Sequence, residues 1–219
     1  MIGIVVALKK EAQYFIEKLD EKTEFSLIGK PFVKGKISDK EIVLCICGIG
    51  KVNSAMATQL IINEFAPTAI LNFGTAGGFS EQVSPLKYYA IDKCFQADFD
   101  LSELDGVPVG YMQDYDRLFY QVNTTNLDFL DKKSLASADR FSDKTEFIEL
   151  LKSNGVALRD MEGCAIAQVC LANSVPFYSI KGVSDVYGSG ASGKQFMENL
   201  SAVCRGFADI IEKTIVSIL

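Results

Sequence analysis

RDMEGCAIAQVCLANSVPFYSIKGVSD, residues 159–185, places one acid, Glu162, at the start of an apolar helix and another, Asp185, at the end of an apolar strand. The apolar spacing predicts a helix over 162–173 and a buried strand over 175–183. Such a unit belongs in an α/β domain with a largely parallel sheet, where ligands gather beyond the C-terminal ends of the strands. Asp185 falls at that edge.

The rest of the chain repeats the alternation. Residues 3–8 (GIVVAL) read as a buried strand that delivers Glu11 to a strand-to-helix junction. Residues 31–38 and 41–47 read as a hairpin turning at Asp39-Lys40, and the second run ends in Gly48-Ile49-Gly50. A helix is expected over 52–65, stopped by Pro67. A strand over 69–73 then ends in a glycine-rich turn, Gly74-Thr75-Ala76-Gly77-Gly78. Further strands are expected over 86–95 and 134–138, and a helix over 145–153. Residues 96–126, rich in Asp, Tyr, Gly and Pro without a sustained period, read as a long excursion serving as a lid or a subunit contact. Phe196, Leu200, Val203, Phe207, Ile211, Ile215 and Ile218 recur at three and four, which marks a long amphipathic helix that is scaffold and not site.

Composition narrows the function. The 219 residues, 48% hydrophobic, suit one domain spanning 1–219. The chain has no histidine, so proton transfer near neutral pH falls to Asp, Glu, Lys, Tyr, Cys or water. A net charge of -6, with 22 scattered Lys and Arg, excludes general affinity for nucleic acid or anionic lipid. The N-terminal MIGIVVALKKEA is too short for a signal segment, and no later run reaches the roughly 18 apolar residues of a membrane span. A cytoplasmic protein without membrane contact is expected. The six cysteines lack C-x-x-C spacing and read as buried, reduced thiols. Without histidine or grouped cysteines, neither a metal nor a cofactor is expected.

Four strand ends can converge: Glu11, the Gly48–Gly50 turn, the Thr75 segment and Ser184-Asp185. Each has an ordinary reading as well. Gly48 and Gly50 read best as a tight βα turn. The GTAGG backbone can approach an anion or polarised water while Thr75 adds a hydroxyl, or it is a plain turn. Glu162 serves the site or simply complements a helix dipole, Met161 lines a pocket or fills core, and Asp185 acts chemically or caps the next segment. Lys181 breaks an apolar strand with a charge that needs a partner, for which Glu11 is the candidate.

Read in order, GIVVAL with Glu11, GIGKVNSA (48–55), FGTAGG (73–78), ASADRF (136–141), DMEGCAIAQVC (160–170) and SDV (184–186) resemble the methylthioadenosine/S-adenosylhomocysteine nucleosidases of the purine nucleoside phosphorylase superfamily. The resemblance implies a three-layer α/β/α sandwich around a mixed, partly barrel-like sheet, usually a homodimer, that hydrolyses the N-glycosidic bond of a small nucleoside. It implies that Asp185, held by Ser184, protonates adenine N7, and that Glu11 is the general base on water positioned by Thr75. Glu162 would bind the ribose hydroxyls with Met161 beside the sugar. Phe141 would stack on adenine, the Ser142 backbone would read its edge, and Gly77 and Lys181 would line the substrate site. Ala97 stands where the family often has His, Lys181 where it often has Arg, and Asp160 where Glu is common. Ala97 leaves the 5′-substituent open and admits a hydrolase for 5′-deoxyadenosine or futalosine, while Lys181 falls near the nucleophilic water, where a point charge cannot reproduce the planar fork of Arg. A purine nucleoside phosphorylase is the nearest rival, but along the chain no arginine flanks either glycine turn. A non-catalytic nucleoside-binding protein is the rival from another class, and Glu11, Glu162 and Asp185 together argue against it.

Overall fold

A computed structural model describes residues 1–79, 81–141, 144–187 and 192–218. In chain order the strands are β1 (Ile2–Val6), β2 (Asp20–Leu27), β3 (Lys30–Ile37), β4 (Lys40–Ile46), β5 (Ala69–Phe79), β6 (Tyr88–Gln96), β7 (Phe119–Gln121), β8 (Lys132–Ser137), β9 (Leu158–Asp160) and β10 (Phe177–Tyr187). The helices are α1 (Lys9–Glu17), α2 (Lys51–Phe65), α3 (Ser102–Asp105), α4 (Thr145–Ser153), α5 (Gly163–Ala172) and α6 (Ser192–Ile218).

The sheet is mixed and not largely parallel: β1, β4, β5 and β10 run parallel to their neighbours in this group, whereas β2, β3 and β4 form an antiparallel meander. β5, β10, β6, β8 and β9 bond each to the next, and β9 returns to β5, so that half of the sheet closes on itself. The other half, β1-β4-β3-β2, extends as an open arm.

Burial explains why the strands read as unbroken apolar runs. Val5, Val43, Cys45 and Ile70 face one core with Ala57 and Ile61 of α2 and Ile166 and Cys170 of α5. Ile4, Ile42, Leu44 and Leu71 face the opposite core with Phe15 of α1 and Phe207 and Ile211 of α6. Period-two alternation thus divides the residues between two buried layers, giving helix, sheet, helix. All six cysteines are buried and unbonded, and burial pushes the Cys45 thiol up to about 12.

Three expectations about elements change. GTAGG is not a turn: β5 runs through it to Phe79, paired with β10. Ser184 and Asp185 likewise lie inside β10, beside a register shift between Val183 and Asp185. The hairpin turns at Ser38-Asp39, where both residues have positive φ, and an additional strand, β2, precedes it. The excursion over 96–126 contains α3, a short 3-10 turn and β7.

α6 lies directly on β10. A Cβ at Gly182 would stand 2.4 Å from Val203 Cγ1 and 3.1 Å from Phe207 Cζ, so the helix can settle only on a glycine. Gly182→Ala is expected to lower stability by about 1–3 kcal/mol through overpacking. A urea midpoint equal to or above wild type would contradict this packing account.

Candidate active site

A cavity of about 380 Å³ opens past the end of β1 and along the C-terminal halves of β5 and β10, and Glu11, Thr75, Gly77, Phe141, Met161, Glu162, Ser184 and Asp185 all line it. Ala7, Leu8, Ile49, Phe196 and Met197 supply apolar wall. Eight of the ten candidate residues thus come together around one space, and two need separate comment. Ser142 lies outside the described residues. Lys181 does not line the cavity but is buried behind it.

Glu11 is the third residue of α1. Its Oε2 accepts the Leu8 N–H at 3.1 Å, an ordinary helix-start contact. Its Oε1 accepts the Thr75 N–H at 2.7 Å and the Thr75 hydroxyl at 2.8 Å. Burial raises the Glu11 pKa, while these bonds and the charge of Lys181 pull against that rise. Thr75 thus holds the Glu11 carboxylate.

Glu162 precedes α5 but does not cap it: Oε1 accepts the Gly50 N–H across the cavity, at 2.8 Å. The Gly48–Gly50 segment is the expected turn, and it also supports a site carboxylate. Burial first, then the charge of Asp160, raise the Glu162 pKa to about 7, with Lys181 and the Gly50 bond opposing.

The N–H that Glu162 leaves at the start of α5 goes to Asp160, whose Oδ2 accepts it from Gly163 at 2.9 Å. The same oxygen binds Lys181 Nζ at 2.8 Å, and Asp160 Oδ1 accepts the Ser137 hydroxyl. The partner of Lys181 is therefore Asp160 and not Glu11, because β9 sets Asp160 directly against the lysine. Burial disfavours the ammonium, yet Asp160, Glu162 and Glu11 together outweigh it and leave its pKa raised.

Asp185 is 1% exposed, and its Oδ1 accepts the Ser184 hydroxyl at 2.7 Å. Arg159 Nη2 lies 3.7 Å from Oδ2. An arginine thus stands beside the GTAGG strand in space although none does along the chain: β9 pairs Arg159 with Gly77. Two side chains of α6 fix this end of β10, with Gln195 accepting the Val186 N–H at 3.0 Å and Asn199 donating to Ser184 O at 2.8 Å. α6 is consequently part of the site, contrary to its reading as scaffold alone. In contrast, no residue of 96–126 lines the cavity. Ala97 packs with Phe79 and Phe147 in a separate core.

Phe141 is 61% exposed at the mouth, edge-on to Phe196 at 6.5 Å. Among the described residues no three His, Cys, Asp or Glu side chains are grouped to hold a metal ion. Four acids thus line the cavity: Glu11 bonded to β5, Glu162 to the start of α2, Asp160 to Lys181, and Asp185 set between Ser184 and Arg159.

The family model of the phosphorylase superfamily matches residues 1–216. The 5′-methylthioadenosine/S-adenosylhomocysteine nucleosidase of Staphylococcus carnosus is 30% identical over 229 aligned residues, covering 100% of both chains. The chain belongs to this nucleosidase family. A nucleosidase of the same name from S. pneumoniae, solved with the transition-state inhibitor MT-ImmA, superposes with a TM-score of 0.89 at 27% identity, over 100% of this chain and 99% of that one. The native futalosine hydrolase of Helicobacter pylori strain 26695 gives a TM-score of 0.89 at 25% identity, over 98% and 97%.

Arg159, Asp160, Gln195, Asn199, Phe196 and Met197 are the members that sequence reading passed over. Arg159-Asp160 carried a signal, two charges just ahead of an apolar helix. Gln195 and Asn199 carried none, since polar residues four apart on an amphipathic helix read as solvent-facing.

Glu162 gives a sign test. Its folded pKa of about 7 exceeds its ordinary 4.5, so between those values the folded chain binds the extra proton. This group's contribution to stability therefore falls as pH rises through that window and stays unfavourable above it. Glu162→Gln is expected to raise the urea midpoint at pH 8 and to leave it unchanged near pH 4. A gain of equal size at both pH values would sink this assignment.

Proposed function

We propose that the chain hydrolyses the N-glycosidic bond of 5′-methylthioadenosine and S-adenosylhomocysteine, releasing adenine and the 5′-thioribose product. The observation that carries this reading is the meeting of Glu11, Glu162 and Asp185 in one buried cavity, each held by its own hydrogen-bond partner. The names of the relatives support the substrate.

Asp185 gives its proton to N7 while the C1′–N9 bond breaks and its electron pair stays on the base. Ser184 fixes the carboxyl for that transfer. Water bonds to C1′ as Glu11 takes its proton, and Thr75 aims Glu11 at it. Glu162 holds the ribose hydroxyls by charge-assisted hydrogen bonds, with Met161 packed beside the sugar and Gly77 beneath it. Phe141 stacks on the base at the mouth, with the Ser142 backbone at its edge. Lys181 acts from behind, by balancing the acids.

Water, and not phosphate, is the nucleophile in this reading. Among the described residues the two buried cations near the cavity are Lys181, held behind it by Asp160 at 2.8 Å, and Arg159, which stands at the base end beside Asp185 at 3.7 Å, away from Glu11. Asp185→Asn and Glu11→Gln are each expected to slow adenine release about 10²- to 10⁴-fold, without dependence on added phosphate. If both variants released adenine at the wild-type rate, or if wild type required phosphate, the reading would fail.

The reading places a single-domain protein in the cytoplasm, in nucleoside catabolism and methionine salvage. Among the described residues no helix is long and apolar enough to cross a membrane. It also includes a homodimer, supported by exposed apolar side chains beside the cavity: Ile49 on its rim, Val52, at 79% exposure, and Met56 on α2. Sedimentation at micromolar concentration is expected to give twice the chain mass, and Val52→Glu to shift it toward one chain. A wild-type monomer under those conditions would remove the dimer from the proposal.

A further inference from the structure

Arg159 is an unusual wall for a base pocket, because its guanidinium is built in and not merely nearby. Its side chain is 10% exposed, and β9 pairing sets its backbone opposite Gly77. A Cβ at Gly77 would lie 2.9 Å from both Arg159 Nε and Asp185 Oδ2, so the two charged groups converge over a position that only glycine can occupy. From there Arg159 Nη2 stands 3.7 Å from Asp185 Oδ2, and Arg159 Cζ stands 5.6 Å from the centre of the Phe141 ring. Ring, acid and guanidinium thus frame one end of the cavity.

The two groups present neighbouring hydrogen-bond donors when Asp185 carries the proton it delivers to N7. Next to N7 on that purine edge is the 6-substituent, an acceptor oxygen in 6-oxopurines and a donor amino group in adenine. Guanidinium has five donors and no acceptor. Against an oxygen at position 6, Arg159 completes the pattern that protein arginines use on the O6/N7 edge. Against an amino group it offers nothing, and adenine must find its acceptor on the carboxyl of Asp185.

We propose that the base subsite accepts 6-oxopurine nucleosides alongside adenine nucleosides, and that Arg159 is the residue that determines this specificity. The proposal rests on the nucleosidase reading and extends it to a second class of base. The bond changes are the same: C1′–N9 breaks, N7 takes the proton of Asp185, water bonds to C1′, and hypoxanthine leaves neutral. Arg159 adds only the planar fork of its guanidinium N–H groups at O6, where negative charge gathers as the bond breaks.

The test compares kcat/KM for 5′-methylthioinosine and 5′-methylthioadenosine in wild type, Arg159→Met and Arg159→Lys, with the released base resolved by chromatography. Wild type is expected to release both hypoxanthine and adenine. Both variants are expected to lower the 6-oxo to 6-amino ratio about 5- to 150-fold, since neither presents a planar fork. Arg159→Lys keeps a cation beside Asp185, so it reads out the fork even if Arg159→Met fails to fold. An unchanged ratio in Arg159→Lys, or adenine release by wild type with no hypoxanthine release, would overturn this proposal alone. Release of neither base by wild type would overturn the nucleosidase reading along with it.

Discussion

Lys181, 1% exposed, is buried where Asp160, Glu162 and Glu11 all act on it, and the arrangement of the site follows from how that charge is settled. An ammonium out of water costs several kcal/mol unless a close partner and hydrogen bonds offset it. Asp160 provides both at 2.8 Å. Because Asp160 also takes the Gly163 N–H, the start of α5 is satisfied without Glu162. That frees the Glu162 carboxylate to cross the cavity to Gly50. Burial raises the pKa of both Glu11 and Glu162, Asp160 adds to the rise at Glu162, and Lys181 opposes it at both. Carboxylates in that condition accept protons readily, which suits the base that the proposed reading makes of Glu11.

The sheet supplies the space in which these charges meet. β10 covers one edge of β5 from Ile70 to Phe79, while the other edge is shared, with β1 reaching Asn72 and β9 beginning at Gly77. Between them the described pairings leave residues 73–76 without a strand on that edge. Backbone donors there need partners, and Glu11 meets the one on Thr75. The fork in the sheet is thus the reason that a carboxylate from α1 can sit inside the fold with its hydrogen bonds complete. It also explains the glycines of GTAGG, which lie in a strand where side chains of Arg159, Asp185, Glu11 and Val83 approach the backbone within 3.1 Å of where a Cβ would stand.

What the sequence made legible were properties carried by single elements. Periodicity located α2, α4, α5 and α6 within a few residues, and continuous apolar runs located β1, β4 and the first halves of β5 and β10. Glu11, Glu162 and Asp185 were visible because each interrupts or ends such a run. Properties that depend on pairing were not visible. β9 spans only Leu158–Asp160, too short for a period, and yet it places both Arg159 and Asp160. β2 is mostly exposed and polar, so it offers no apolar alternation to read. Glycine in GTAGG signalled a turn because glycine usually does, whereas here it marks close approach of side chains to a strand. Gln195 and Asn199 act on backbone atoms of β10 that no local pattern could have linked to them.

A chain without histidine still needs a group that changes charge near neutrality if its affinity for a sugar is to respond to pH. Glu162 is that group, with a pKa moved to about 7 mainly by burial. The substitution is not equivalent, however. A histidine loses its positive charge as pH rises, whereas Glu162 gains a negative one, so in the proposed reading its hold on the ribose hydroxyls strengthens in the alkaline direction. The same ionisation places one more charge beside Asp160 and Glu11, and only Lys181 answers it from within the cluster. In the proposed reading, stability and sugar binding therefore move oppositely with pH, and the cation that opposes the added charge is Lys181, itself held by Asp160 at 2.8 Å.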